Sequence, residues 1–395
     1  MLWLLASLAS WRFVFLLSPS VLEASSLAAR TCYHISVSKP KVIVGMSGGV
    51  DSSLAAATLL RQGYSVTGLF ISNGVSREAA QPRTAPPEAD AGRIADLLGI
   101  DLIVVDATQA FRDLMRLFAD EYAAGRTPNP CAICNRRIKF RTLLEHADAL
   151  GAQYVATGHY ARIVEYCGSP AIARAAHVPK DQSYFLFNVP RELPRRLLLP
   201  IGHLSKAQVR AQARELGLPV HDKEHSVEIC FIPDNDYARL VREYRPEAFE
   251  PGPVLHVDGR TLGTHDGIVN FTIGQRRGLG IALGEPAYVA AIESDTRTVR
   301  IGPLESVRRR GLIATGLNWL IEPPASPMRC FGQIRHMHKA AACAARIEDG
   351  GRLHVLFDEP QTAITPGQAI VLYDQDVLLG GGWIERATDG ERLTG

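Results

Sequence analysis

The sequence predicts an α/β domain built on a parallel sheet, followed by a small β-rich unit and a C-terminal β-barrel. Three observations lead there. Between Lys41 and Gly151, apolar strand-like runs alternate with helix-like stretches, the pattern of a parallel sheet covered by helices on both faces. The first run, "KVIV", leads into a loop of glycines and hydroxyls, "GMSGGVDSS", Gly45 to Ser53. After about Pro233, short β-like segments punctuated by Gly, Pro and Asp take over. The expected divisions are an extension over 1–38, the α/β domain over 39–233, the small β unit over 234–303 and the barrel over 304–390.

Along the chain, "KVIVGM" reads as a buried strand and "DSSLAAATLLRQGY" as a helix stopped near Gly63. "SVTGLFI" is a second strand, then comes a Pro/Ala-rich loop and the helix "ADAGRIADLLGI". "DLIVVDAT" is a third strand, and "QAFRDLMRLFADEYAAG" and "RRIKFRTLLEHADALG" are amphipathic helices. "AQYVATGHYA" is a fourth strand entering a loop. Ligands of such sheets sit beyond the carboxyl ends of the strands. The loop at Gly45, the segment after Phe70 and the loop at Gly158 share that edge.

The chain has 395 residues, enough for two or three domains, and its 46% apolar and 21% charged content is that of a globular protein. A net charge of +2 leaves any polyanion binding to local clusters. Seven scattered cysteines in a chain this long do not read as a secreted disulfide scaffold. Residues 1–38 are apolar and Ser/Ala-rich, but Arg12 leaves neither side long enough to span a bilayer. They read as an upstream extension with no role in the fold, which implies a cytoplasmic protein without a membrane partner. A transit peptide, and so an organelle, is the alternative.

The glycines of the first loop let backbone N–H groups approach a phosphate, and the following helix offers its positive N-terminus. Ser47, Ser52 and Ser53 add hydroxyls. No Walker lysine follows, so Mg²⁺ is expected to help, with Asp51 a candidate ligand. In "GRTPNPCAICNRRIKF", Cys131 and Cys134 stand near a helix start, and Arg136, Arg137 and Lys139 are expected to favour thiolate. A lone Cys-x-x-Cys is a zinc knuckle, a redox pair or a buried apolar pair, and no second pair is present for zinc. Cys230, in "HSVEICFIP", reads on its own as a core cysteine. "ATGHYAR" fits a loop closing over a nucleotide through Gly158, or a plain polar loop. "KDQSYFLF" fits a surface for unpaired bases, or an amphipathic strand.

"SGGVDSS" resembles the PP-loop of the ATP pyrophosphatase superfamily, with its adenine nucleotide alpha-hydrolase-like fold. Those enzymes cleave ATP between the α- and β-phosphates and adenylate a carbonyl-type oxygen. Taken in order, "GMSGGVDSS", "GRTPNP", "IKF", "ATGHYAR", "KDQSYFLF", "ICFI", "GQRRGLGI" and "TPGQ" resemble the tRNA-specific 2-thiouridylases from about Lys41 to Ile384.

That resemblance implies 2-thiolation of the tRNA wobble uridine. ATP adenylates the C2 oxygen, a protein persulfide delivers sulfur, and AMP and pyrophosphate are released. It implies Cys230 as the persulfide carrier, Cys134 as the nucleophile, and a transient Cys134–Cys230 disulfide. It places ATP on Gly45, Met46, Ser47, Gly48, Gly49, Val50, Asp51 and Ser52, with Ile71 and Gly158 beside the adenine or ribose. It sets Asn129, Pro130 and Cys131 at the target base. It gives tRNA contacts to His159, Lys180, Asp181, Gln182, Arg335, His336 and Gln368. Expected partners are the tRNA anticodon stem-loop and a sulfur donor such as a cysteine desulfurase or a sulfur relay protein, with the chain a monomer.

Some members carry aspartate where this chain has Cys131, so an acid/base role there would fall to a thiol of suitable pKa. Three thiols also admit an iron–sulfur cluster on Cys131, Cys134 and Cys230 as an alternative. Basic clusters at Arg276 and Arg277, at Arg308 to Arg310, and at Arg335 to Lys339 fit an RNA-reading surface. The rivals are another PP-loop adenylating enzyme, an RNA-binding protein on a relic nucleotide fold, and a metal-binding structural protein.

Overall fold

The computed structural model describes residues 39–74, 87–222, 229–232, 236–281, 284–323, 327–348 and 350–390. The extension over 1–38 and most of the loop after Asn73 lie outside these residues. The first part runs β1 (Lys41–Gly45), α1 (Val50–Arg61), β2 (Ser65–Ser72), α2 (Pro87–Leu98), β3 (Leu102–Asp106) and α3 (Thr108–Ala123). It continues with α4 (Pro130–Cys134), α5 (Phe140–Ala149), β4 (Tyr154–Ala156), β5 (Ala161–Tyr166), β6 (Ser169–Arg174), β7 (Leu197–Leu198) and α6 (Lys206–Glu215). Strands β3-β2-β1-β4-β7 form a parallel sheet. Val42 and Val44 face one packed layer and Ile43 the other, so β1 is apolar without alternation, as a strand buried on both faces must be.

After α7 (Tyr237–Tyr244), strands β8 (Gly252–His256), β9 (Thr261–His265), β10 (Tyr288–Glu293) and β11 (Thr298–Gly302) pair in the order β10-β11-β8-β9 around Val254, Val289, Val299 and Ile301. The last part is β12 (Arg308–Trp319), β13 (Met328–Gln333), β14 (Ala341–Glu348), β15 (Arg352–Thr362), β16 (Ala369–Asp374) and β17 (Val377–Thr388). Pairing of β12 with both β15 and β17 closes these strands into a barrel, which removes its free edges.

Two features were not legible in the sequence. The hairpin β5–β6 leaves the first part and joins the barrel sheet through Ala173 opposite Val377. "KDQSYFLF" is not a strand: its residues form parts of two 3₁₀ turns, Val178–Lys180 and Ser183–Leu186. Tyr184, Leu186 and Phe187 are buried there against Val371 and Tyr373, so burial rather than alternation set their apolar character.

Candidate active site

The glycine loop leaves β1 at Gly45 and enters α1 at Val50. Ser52 Oγ accepts from the Ser47 N–H and donates to the Gly49 carbonyl, both at 3.1 Å, and Ser53 Oγ donates to the same carbonyl at 2.8 Å. These bonds hold the turn open. Gly48 has φ +70°, and a Cβ there would lie 2.3 Å from the Pro87 carbonyl oxygen. A Cβ on Gly158 would lie 2.7 Å from the Ser52 nitrogen, so the loop after β4 is seated directly on the first turn of α1.

Asp51 differs from the expectation of a waiting metal ligand. Lys206 Nζ, at the start of α6, donates to both its oxygens at 2.7 Å, and the Tyr160 hydroxyl donates to Oδ1 at 2.7 Å. Burial, then the Asp51 charge, pushes the Tyr160 phenol up and keeps it a donor. A Mg²⁺ ion on Asp51 would share the carboxylate with Lys206 and Tyr160. Nothing in the sequence marks Lys206, 155 positions away, as a partner of this loop.

Asn129 caps α4, accepting from the Ala132 N–H at 3.3 Å, with Pro130 in the first turn. Cys131 is half-buried and Cys134 buried. The helix then widens into a π-turn over Asn135–Lys139, a distortion common at functional sites. The turn divides the basic run. Arg136 donates to the Asn188 carbonyl at 2.9 Å and to Asn318 Oδ1 at 3.0 Å, and Arg137 is exposed. Of these three cations, Lys139 alone exerts its charge on Cys131, Cys134 and Cys230, and its N–H donates to the Cys134 sulfur. Asn73, just past β2, bonds Cys230.

The expectation of resting thiolates is overturned. Burial pushes all three thiols up; Lys139 opposes this without prevailing, and Cys134 reaches about 12. A single-turn helix and one ammonium do not replace the water that burial removes. Cys230 keeps an exposed edge although protein atoms crowd its sulfur. Burial works against the charge of Lys139, but the surrounding thiols raise its pKa and it stays a cation.

His159 joins the two halves. It follows Gly158, its Nδ1 lies 2.8 Å from Thr157 Oγ1, and its ring stacks on Phe140. Burial, then Lys139, pushes it down to about 3, so it is neutral at physiological pH. Phosphate loop and thiol recess thus meet through two consecutive residues. All three cysteines are free thiols. Among the described residues, no three His, Cys, Asp or Glu side chains are placed to hold a metal ion.

Family models match consecutive parts of the chain: a tRNA methyl transferase HUP domain over 40–234, a PRC-barrel domain over 239–303 and an aminomethyltransferase beta-barrel domain over 309–384. The tRNA-specific 2-thiouridylase MnmA of Syntrophotalea carbinolica is 45% identical over 344 residues, 87% of this chain and 98% of that protein. That of Carboxydothermus hydrogenoformans is 45% identical over 361 residues, 89% and 99% of the two chains. The chain belongs to the tRNA-specific 2-thiouridylase family. Among solved structures, a 4-thiouridine synthetase–RNA complex with bound ATP is similar over 53% of this chain and 51% of that one, at 17% identity. The TM-score is 0.35.

In this 2-thiouridylase-family chain the expected RNA contacts divide. Asp181 is 7% exposed and pairs with Arg174 at 3.0 Å; it also accepts from the Ala175 and Ser183 N–H groups and the Ser183 hydroxyl. Gln182 accepts from the Tyr160 N–H at 3.0 Å. Gln368 Nε2 donates to the Thr127 and Pro128 carbonyls at 3.1 and 3.2 Å, clamping the segment that leads to Cys131. His159 points into the recess described above. Lys180 is half-buried, Arg335 is exposed while donating to the Thr362 carbonyl at 2.9 Å, and the His336 ring lies 4.4 Å from that of Phe185. Of the basic run at β12, Arg308 pairs with Glu305 at 3.2 Å and Arg309 with Asp389 at 3.1 Å, so much of that charge is already balanced.

Proposed function

We propose that this chain catalyses ATP-dependent 2-thiolation of the tRNA wobble uridine through a cysteine persulfide relay. The observation that carries this reading is that one lysine among the described residues, Lys139, is shared by Cys131, Cys134 and Cys230 in a recess adjoining the phosphate loop. ATP lies on Gly45 to Ser52 with Ile71 and Gly158 alongside, and Mg²⁺, when bound with it, supplies charge neutralisation at the phosphates. The flipped uridine enters beside Asn129, Pro130 and Cys131. Its C2 oxygen attacks the α-phosphorus, pyrophosphate leaves, and a poor leaving group has become AMP.

A donor protein, a cysteine desulfurase or a relay protein, loads a persulfide onto Cys230 from its exposed edge. Cys134, once deprotonated, attacks the Cys230 sulfur, and the bond to the outer sulfur breaks. The outer sulfur leaves as hydrosulfide with the two electrons that the cysteines lose on forming the Cys134–Cys230 disulfide. Hydrosulfide adds at C2, AMP departs, and two external thiol equivalents reduce the disulfide. Lys139 stabilises each sulfur anion in turn. Asp181, Gln182 and Gln368 act by holding the RNA-facing segments, while Lys180, Arg335 and His336 remain to touch tRNA. The barrel over 304–390 serves as part of the tRNA-binding surface.

The test is thiolation of unmodified tRNA with ATP and a persulfide donor, wild type beside Cys134→Ala, Cys230→Ala and Cys131→Ala, with iron assayed in each preparation. Wild type and Cys131→Ala should form 2-thiouridine and the other two none. A requirement for all three cysteines with activity proportional to iron would overturn the relay.

A further inference from the structure

Beside the recess runs a groove of about 620 Å³ with one wall from α3 and the π-turn and the other from the barrel. It is within the range of small-ligand sites. Asn129, at the expected target base, lines it, whereas Lys180, Arg335 and His336 do not.

The groove carries charge that the protein leaves unbalanced. Arg136 and Arg137, the two arginines that the π-turn directs away from the thiols, both line it. Neither has a carboxylate partner among the described residues, Arg136 donating to the backbone carbonyl of Asn188 and the side-chain oxygen of Asn318. The acidic groups of the lining are already held, Glu121 by Arg126 and Glu385 by Arg352. The opposite wall offers the indole of Trp383, fixed edge-to-face on Phe187 with ring centroids 5.2 Å apart. Gly316 lies against that indole with φ +60°; a Cβ there would come within 3.0 Å of its Cδ1, so a glycine fits beside the ring where a side chain would press on it. Two guanidinium groups without a carboxylate partner, across the groove from an immobilised aromatic ring, suit a nucleotide: phosphate on one wall, base on the other.

We infer that this groove binds a single-stranded nucleotide flanking the target uridine, with its phosphate on Arg136 and Arg137 and its base against Trp383. The inference rests on the proposed function and extends it. The π-turn then has two duties, turning Lys139 to the sulfurs and the two arginines to the RNA strand. The same short segment sets how far the flipped base sits from its neighbour.

The test measures binding of a labelled anticodon stem-loop RNA across a salt series, together with thiolation of that RNA. Arg137→Gln alters only an exposed side chain, so it carries the decisive arm. It should weaken binding and lower the slope of log K against log salt by about 0.7, the value of one single-strand phosphate contact. Trp383→Leu should raise Kd about tenfold with the salt slope unchanged, as loss of base stacking predicts. ATP binding to the free enzyme should be the same in all three proteins. Unchanged RNA affinity and salt slope in Arg137→Gln, with wild type thiolating normally, would overturn the inference and leave the proposed function standing. So would unchanged RNA binding with slower sulfur loading from the persulfide donor, which would make the groove a protein-docking surface. A wild type that neither binds nor thiolates the RNA would overturn the proposed function and this inference with it.

Discussion

The pair formed by Asp51 and Lys206 permits a quantitative test of how the phosphate loop is held. At 2.7 Å and an effective dielectric of about 20, the gross attraction is about 6 kcal/mol. Desolvation and side-chain ordering offset much of that, and Asp51 and Lys206 keep 33% and 15% of their side-chain surface exposed, which screens the pair further. What remains is near the net value of a charge-assisted hydrogen bond, about 2 kcal/mol. Lys206→Met leaves the carboxylate with the Tyr160 hydroxyl alone and should cost about 2 kcal/mol. Asp51→Asn keeps the shape and loses the charge. The double variant should be destabilised by less than the sum, with a coupling energy of about 2 kcal/mol. Urea denaturation of the four proteins measures it. A coupling below about 0.5 kcal/mol would refute the argument, because the two side chains would then be adjacent without holding one another. Since α1 begins at this pair, the same Lys206→Met protein should bind ATP more weakly by calorimetry.

Three further outcomes follow from the geometry. Gly158→Ala forces a methyl to within 2.7 Å of the Ser52 backbone; it should cost about 1–3 kcal/mol and raise the Kd for ATP, while alkylation of Cys230 stays at the wild-type rate. The Cys134 thiol, raised to about 12, should be alkylated about tenfold faster per pH unit between pH 7 and 9, with no plateau. Because a cation favours thiolate, Lys139→Met should lower that rate at every pH, whereas Lys139→Arg restores part of it; a plateau below pH 9 would contradict the burial argument. Gln368→Ala removes two bonds to the Thr127 and Pro128 carbonyls and should raise the KM for tRNA more than it lowers kcat, read by steady-state thiolation.

What the sequence determined by itself was set by local patterns. Runs buried on both faces announced the parallel strands, the string from Gly45 to Ser53 announced the phosphate loop, and the order of short motifs announced the family. Each of these is encoded in neighbouring residues, where strand burial, glycine conformation and helix capping act. Only the tertiary structure decided the rest, because it depends on chain segments that meet after folding. Lys206 reaches Asp51 from 155 positions away, and Gln368 reaches Pro128 from 240. The basic run after Cys134 read as three equivalent cations, yet a π-turn sends Arg136 and Arg137 to a groove and Lys139 to the sulfurs. The thiols themselves were misread for the same reason. Neighbouring cations are visible in a sequence, whereas the removal of water around Cys134 is a property of the folded interior, and at this site removal of water is the larger effect.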